Sequence, residues 1–139
     1  MCLCVCGCVH MPNRYNASNR GYPDVSALGE NVFIRIWGSW MSQGGTSAAT
    51  PMWAGVITMA NSARLSHGKS SLGPVNQLMY HIADAHPAAL TDMTEGNNRP
   101  FQTKYQDLGF YATKGWDPVS GLGTPVVPEL VNYVTTQLP

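Results

Sequence analysis

After Cys8 the sequence contains no cysteine. A disulfide framework is therefore excluded for the body of the chain, whose stability must come from packing. Charge is scarce too: 8 Lys and Arg stand against 8 Asp and Glu, only 12% of the residues, with a formal net charge of zero. That balance points to neither nucleic acid nor an anionic membrane as a partner. No apolar run approaches the roughly 20 residues that a bilayer-spanning helix needs. The first residues lack the basic start of a secretory leader, and their apolar stretch is short. Internal repeats and low-complexity tracts are absent as well. What is present is a 139-residue chain, 44% hydrophobic, enough for the core of one small domain. Its 14 glycines and 10 prolines are spread widely, as in a loop-rich α/β protein and unlike a disordered one.

All four cysteines lie in Met1-Cys2-Leu3-Cys4-Val5-Cys6-Gly7-Cys8-Val9. Alternation by two puts them on one face of a strand or in a thiolate-rich metal loop with His10 as a further ligand. The usual zinc pairs keep at least two residues between cysteines, and this spacing does not. The head and linker, residues 1–18, are therefore expected to lie outside the fold. A thiol-rich metal-binding protein, with this head as its functional part, stays open as an alternative. Asn16-Ala17-Ser18 fits the N-glycosylation acceptor pattern, which matters only if the chain enters a secretory pathway.

The body reads as strands followed by helices. Asp24-Val25-Ser26-Ala27-Leu28 reads as a short buried strand after a Tyr-Pro turn. Residues 32–37 are β-branched and aromatic, Gly38-Ser39 turns the chain, and Trp40-Met41-Ser42 runs back. Gly44-Gly45-Thr46-Ser47-Ala48-Ala49-Thr50-Pro51 then opens a helix expected over 51–65, with Pro51 in its first turn. Met52, Val56, Met59, Ala60 and Ala63 form its core-facing stripe, and Arg64, His67 and Gly68 mark its end. A second helix is expected through 75–82 after Gly73-Pro74. A terminal helix is expected within 125–134, burying Leu130, Val131 and Val134. His67, His81 and His86 read as surface or capping residues.

Ser47 sits at the mouth of the first of these helices. Free N–H groups and the positive dipole end favour developing negative charge there, a good place for a nucleophile. A serine or threonine at a helix start is more often only a cap. The chemistry by itself leaves both roles open.

Three segments together decide for the nucleophile. Gly45-Thr46-Ser47, with Pro51 four residues after the serine, resembles the nucleophile segment of subtilisin-like peptidases. It is most similar to the sedolisins, the serine-carboxyl peptidases that include tripeptidyl peptidases. Arg20-Gly21-Tyr22-Pro23-Asp24-Val25-Ser26-Ala27 before the serine resembles the same family. So does Gly115-Trp116-Asp117-Pro118-Val119-Ser120-Gly121-Leu122-Gly123-Thr124-Pro125 after it. The resemblance runs from about residue 19 to the C-terminus. It implies an α/β fold in which residues 19–139 are a partial domain, the C-terminal portion of a subtilisin-like doubly wound parallel-sheet peptidase. It also implies proteolysis of peptide or unfolded protein substrates at acidic pH, by a tripeptidyl-peptidase-like or an endopeptidase-like enzyme. A lysosome-like or secreted location would follow from it.

The resemblance further implies one calcium ion. Its ligands would be the carboxylates of Asp92 and Asp117 with the backbone carbonyls of Met93, Thr113 and Gly115. Two carboxylates balance the ion's charge, and calcium accepts mixed carboxylate and carbonyl oxygens. Thr113 departs from the family, where glycine is frequent; a carbonyl ligand survives that change.

A base for Ser47 is missing from the pattern. In subtilisins it is an upstream histidine, and only His10 precedes Ser47, without a His-Gly-Thr-His context. In sedolisins it is a glutamate backed by an aspartate, with another aspartate at the oxyanion site. Upstream of Ser47 stand only Asp24 and Glu30, in no such motif, and Asp24 reads as structural. An α/β-hydrolase arrangement fails, since Ala49 replaces the second glycine of Gly-x-Ser-x-Gly and no histidine follows Asp92. The chain is thus expected to need the missing N-terminal part of the catalytic domain as its partner and to hydrolyse no peptide alone. A catalytically inactive calcium-binding fragment of the same fold is the remaining alternative.

Overall fold

The computed structural model describes residues 15–16, 18–100 and 108–139. The expectation that residues 1–18 lie outside the fold falls mostly on residues 1–14 and 17, which are outside the described residues.

Asn31 closes a loop and the chain enters a hairpin of β1 (Val32–Ile36) and β2 (Ser39–Gln43), paired antiparallel from Val32 opposite Gln43 to Ile36 opposite Ser39. Trp37 and Gly38 form its two-residue turn with φ of 53° and 81°. Positive φ at both turn positions matches the right-handed twist of the strands. Trp37, expected to end the strand, is thereby carried into the turn. The hairpin is apolar but uncovered, with Trp37 at 99%, Phe33 at 73% and Trp40 at 68% exposure.

Helix α1 runs Thr46–Ser66, α2 Asn76–Ala85 and α3 Val127–Thr136. A 3-10 turn at Pro87–Ala89 leads into β3 (Leu90–Thr91), which pairs antiparallel with β4 (Thr124–Pro125). Helix α1 starts five residues before Pro51, so that proline stands inside the helix and not in its first turn. Without an N–H it cannot bond the Ser47 carbonyl four residues back. The good helix formers Ala48 and Ala49 carry the helix through that missing bond.

The core lies where the three helices meet. Val56 and Ala60 of α1, Met79 and Ile82 of α2, Ala89, and Leu130 and Val134 of α3 form one buried cluster. Buried positions on α1 are Val56, Ala60 and Arg64, a stripe stepping by four. Steps of four rotate slowly around the helix, away from position 59, so the expected core residue Met59 ends 57% exposed. It lines an open groove of about 420 Å3 between α1 and α3 instead. Arg64 is buried to 3% exposure and binds three carbonyls: Ser70 at 2.7 Å, Val134 at 2.6 Å and Pro139 at 2.6 Å. It joins the end of α1 to the end of α3.

Among the described residues the sheets are two two-stranded antiparallel ladders, so these residues do not themselves build the parallel sheet expected from the resemblance. Residues 24–28, expected as a buried strand, form no strand. They have no partner strand; two backbone bonds join them to a bend, Ser26 N–H to Gly123 O at 2.9 Å and Leu122 N–H to Asp24 O at 2.8 Å. Two tryptophans complete the attachment. Trp53 Nε1–H donates to the Ser26 carbonyl at 2.7 Å and Trp116 Nε1–H to the Pro23 carbonyl at 2.9 Å.

Candidate functional site

Gly45 is the N-cap of α1, with φ 91° and ψ 177°, and no side chain caps the helix. That backbone region is open essentially to glycine alone. The sharp turn is held from behind by Gly45 N–H donating to Gly29 O at 2.6 Å. Ser47 follows in the first helical turn and is exposed. Its hydroxyl is not spent on capping, and among the described residues it makes no hydrogen bond. The first N–H groups to find helical partners are those of Ala48 and Ala49, both on Gly45 O at 2.9 and 3.3 Å. Those of Thr46 and Ser47 find no acceptor among the described residues; they lie beside the serine oxygen, at the positive end of a helix.

Among the described residues no carboxylate or imidazole bonds the Ser47 hydroxyl. Glu30 is exposed, and Asp24 is committed elsewhere. Asp24 accepts from Arg20, from Asn76 Nδ2 at 2.8 Å and from Tyr80 Oη at 2.8 Å. Partial burial pushes its carboxyl up, but the bonds from Asn76, Tyr80 and Arg20 outweigh this and hold it below its ordinary 3.8. Burial, together with the donated bond to Asp24 and that residue's charge, raises the Tyr80 phenol. Asp24 is thus a structural acceptor between the 20–24 segment and α2. His67 and His86 are the C-terminal caps of α1 and α2, and His81 is exposed.

Two pairs of the expected calcium residues are joined, Asp92 with Gly115 and Asp117 with Thr113. Pairing of β3 with β4 places Asp92 directly after β3, against the loop that ends at Gly123. Gly123 has φ 93°, and a Cβ there would stand 2.0 Å from the Thr91 carbonyl oxygen, so only glycine lets the two loops meet. Gly115 N–H then donates to Asp92 Oδ2 at 2.7 Å, which joins the loops. Asp117 is fully buried at 0% exposure. Its Oδ1 accepts from the N–H groups of Val119 and Ser120, both at 2.8 Å, and its Oδ2 from Thr113 N–H at 2.9 Å. No cation of the described residues pairs with it.

Among the described residues, the carbonyl oxygens of Met93, Thr113 and Gly115 accept no hydrogen bond, nor does Asp92 Oδ1. Buried carboxylate charge and uncommitted carbonyls are the oxygen donors a hard cation takes. No group of three or more His, Cys, Asp or Glu capable of holding a metal forms among the described residues. The fit therefore rests on two carboxylates and backbone oxygens. Sequence reasoning missed the roles of Asn76, Tyr80, Trp53 and Trp116. The tryptophans alone carried a signal, because a half-buried indole N–H needs an acceptor.

No family model matches the chain. It is 45% identical over 122 residues to physarolisin of Physarum polycephalum, covering 88% of this chain and 21% of that one. It is 44% identical to tripeptidyl-peptidase 1 of Dictyostelium discoideum, over 86% of this chain and 19% of the relative. Human tripeptidyl-peptidase 1 is 38% identical over 128 residues, 88% of this chain and 22% of the relative. Among solved structures, the serine-carboxyl proteinase sedolisin of Pseudomonas, in complex with two molecules of pseudo-iodotyrostatin, superposes with a TM-score of 0.61 at 28% identity. That match covers 73% of this chain and 25% of the other.

The class is that of the serine-carboxyl peptidase homologues. Within it, the chain is a sedolisin-family sequence. It spans about a fifth of the length of the curated relatives it matches.

Proposed function

We propose that this chain is the nucleophile-bearing segment of a sedolisin-type serine peptidase, with Ser47 as the nucleophile. One observation carries the reading: Ser47 is exposed at a glycine-capped helix start, and among the described residues its hydroxyl is uncommitted and two N–H groups beside it are free. In the complete domain a doubly wound parallel sheet would surround this segment, and a carboxylate from elsewhere would act as base. That carboxylate takes the Oγ proton as Oγ bonds to the scissile carbonyl carbon. The proton passes to the departing amine as the C–N bond breaks. A water molecule, deprotonated in its turn, then releases the acyl group and restores Oγ–H. Free N–H groups at the helix start would stabilise the oxyanion of each tetrahedral intermediate.

Peptides or unfolded proteins are the substrates this chemistry fits, whether tripeptides are removed from an end or chains are cut internally. Carboxyl-based proton transfer favours an acidic working pH, and so a lysosome-like or secreted location. Asp92 and Asp117 with the carbonyls of Met93, Thr113 and Gly115 would hold one calcium ion, which supplies positive charge between two loops. No helix of the described residues is long and apolar enough to cross a membrane.

The chain alone is expected to be inactive, since among the described residues no base reaches Ser47. The test assays chain 1–139 and the complete protein on unfolded protein and tripeptide substrates from acidic to neutral pH. Activity confined to the complete protein, peaking at acidic pH and abolished by Ser47→Ala without a shift in melting temperature, is the expected result. Turnover by the isolated chain that vanishes in Ser47→Ala would overturn the claim of inactivity, and an active complete Ser47→Ala variant would overturn the nucleophile.

A further inference from the structure

We infer that Glu30 is a specificity residue, its carboxylate favouring peptides that carry a positive charge close to the scissile bond. A Lys or Arg side chain or a free α-ammonium group meets that requirement. The inference rests on Ser47 as the nucleophile and adds the charge of the substrate to that reading.

Glu30 is placed by backbone contacts. Gly29 O accepts the Gly45 N–H at 2.6 Å, which lays residues 29 and 30 against the turn that presents Ser47. A Cβ on Gly44 would stand 3.1 Å from Gly29 O and 3.6 Å from Glu30 Cα, so the two loops touch. Gly44 precedes Ser47 by three residues. Even a fully extended chain would separate their Cα atoms by no more than about 11 Å. Glu30 is therefore carried beside the nucleophile turn, and both residues are exposed.

The charge of Glu30 is uncompensated there. Residues 29–31 and 43–50 form the turn and the loop against it, and Glu30 is the one charged residue in their sequence. Among the described residues its carboxylate enters no ion pair and no hydrogen bond. Arg35, the nearest cation along the chain, is held at the far end of β1. Its Nε donates to Gly38 O at 3.4 Å, and its guanidinium lies 5.9 Å from the Trp40 ring centroid. Glu30 makes no bond to the Ser47 hydroxyl, so it acts on the charge of the substrate and not on the nucleophile. At about 10 Å through a partly aqueous path, such a charge changes the affinity for a singly charged group roughly threefold. Exchanging Lys for Glu in the substrate then spans roughly tenfold, since attraction turns into repulsion.

The test measures kcat/KM of the complete protein on one peptide series in low salt, at the highest pH that supports turnover. Lys or Glu is placed in turn at each of the two residues on either side of the scissile bond. At the position nearest Glu30, Glu30→Gln should lower the Lys-to-Glu ratio by roughly tenfold, and Glu30→Lys should lower it further. Raising salt from about 0.01 M to about 1 M cuts the screening length from about 30 Å to about 3 Å. That change should bring the unmodified protein's ratio close to the Glu30→Gln value, which an effect of shape alone would not do. Equal ratios in the protein and Glu30→Gln at every position, or a difference that high salt leaves intact, would overturn the assignment. Turnover that survives Ser47→Ala, or none at all, would overturn the nucleophile reading and this one with it. A Ser47-dependent enzyme with unmoved ratios overturns Glu30 alone.

Discussion

Asp24 carries an acid-sensitive part of the stability. Its carboxylate accepts three donors from two parts of the chain, and its side chain is 16% exposed. A carboxyl whose folded value lies below the ordinary 3.8 contributes stability in full above that value and loses it as pH falls toward the folded value. Tyr80 has the opposite sign: its raised phenol contributes below the ordinary 10.0 and loses that contribution as pH rises through the folded value. The Asp24–Tyr80 bond should therefore be intact from roughly pH 4 to 10. Asp24→Asn should lower the melting temperature at neutral pH and reduce the further loss on acidification below about pH 4, measured by calorimetry at several pH values. An unchanged acid limb would remove Asp24 from this role. Arg64 acts through geometry and not through titration. Its planar fork satisfies three carbonyls that no other side chain shape reaches together. Arg64→Leu leaves the Val134 carbonyl unpaired in a buried site, while the carbonyls of the exposed Ser70 and Pro139 turn to water, and should cost about 1–3 kcal/mol in denaturant unfolding. Arg64→Lys should recover only part of it.

At the scale of elements, the β3–β4 pairing and the 113–121 loop form one unit around two aspartates of different character. Asp117 is buried and bonded within its own loop, while Asp92 is exposed and reaches across to Gly115. Their substitutions should therefore differ. Bound to the native state alone, calcium at a hundredfold excess over Kd would stabilise by about 2.7 kcal/mol. In the complete protein it should raise the melting temperature, and either Asp92→Ala or Asp117→Ala should remove that rise. Asp117→Ala should also lower the calcium-free melting temperature, by freeing the N–H groups of Thr113, Val119 and Ser120. Asp92→Ala should change the calcium-free value much less. A full calcium response retained by both variants would rule out this pair of loops as the site.

For the whole molecule the decisive contrast is between a covered helical corner and an uncovered hairpin. Val56, Ala60, Ile82, Leu130 and Val134 are buried, while Phe33, Trp37, Trp40 and Met41 remain exposed on the β1–β2 hairpin. Each large apolar side chain left in water forgoes roughly 1.5–3 kcal/mol of burial. Chain 1–139 alone is accordingly expected to be marginal and to self-associate through the hairpin. Sedimentation should show concentration-dependent association, reduced by Trp37→Ser with Trp40→Ser. Hydrogen exchange should be slow in α1 and α3 and fast in β1 and β2. A strictly monomeric chain with slow exchange in both regions would mean that this piece is a self-sufficient fold.

Local features of the sequence determined a good deal by themselves. The helices after Ser47, after Gly73-Pro74 and near Pro128 were legible from periodicity and proline placement, because such signals act within a few residues. The position of Ser47 at a helix mouth was legible for the same reason, as were the three motifs that mark the family. Tertiary contacts decided the rest. Pro51 lies inside α1 because Gly45 turns the chain earlier, against Gly29 of a distant loop. Residues 24–28 look like a strand in pattern but form none, since a strand exists only beside a partner. Met59 belongs to an apolar stripe yet stays exposed, because α3 and α2 cover only the Val56–Ala60–Arg64 side. Asp24 and Tyr80 are 56 positions apart, Asp92 and Gly115 are 23 apart, and no local pattern joins either pair. Periodicity reports which face of an element is apolar; which partner arrives to cover that face, or to take a carboxylate's lone pairs, is settled only when distant segments pack.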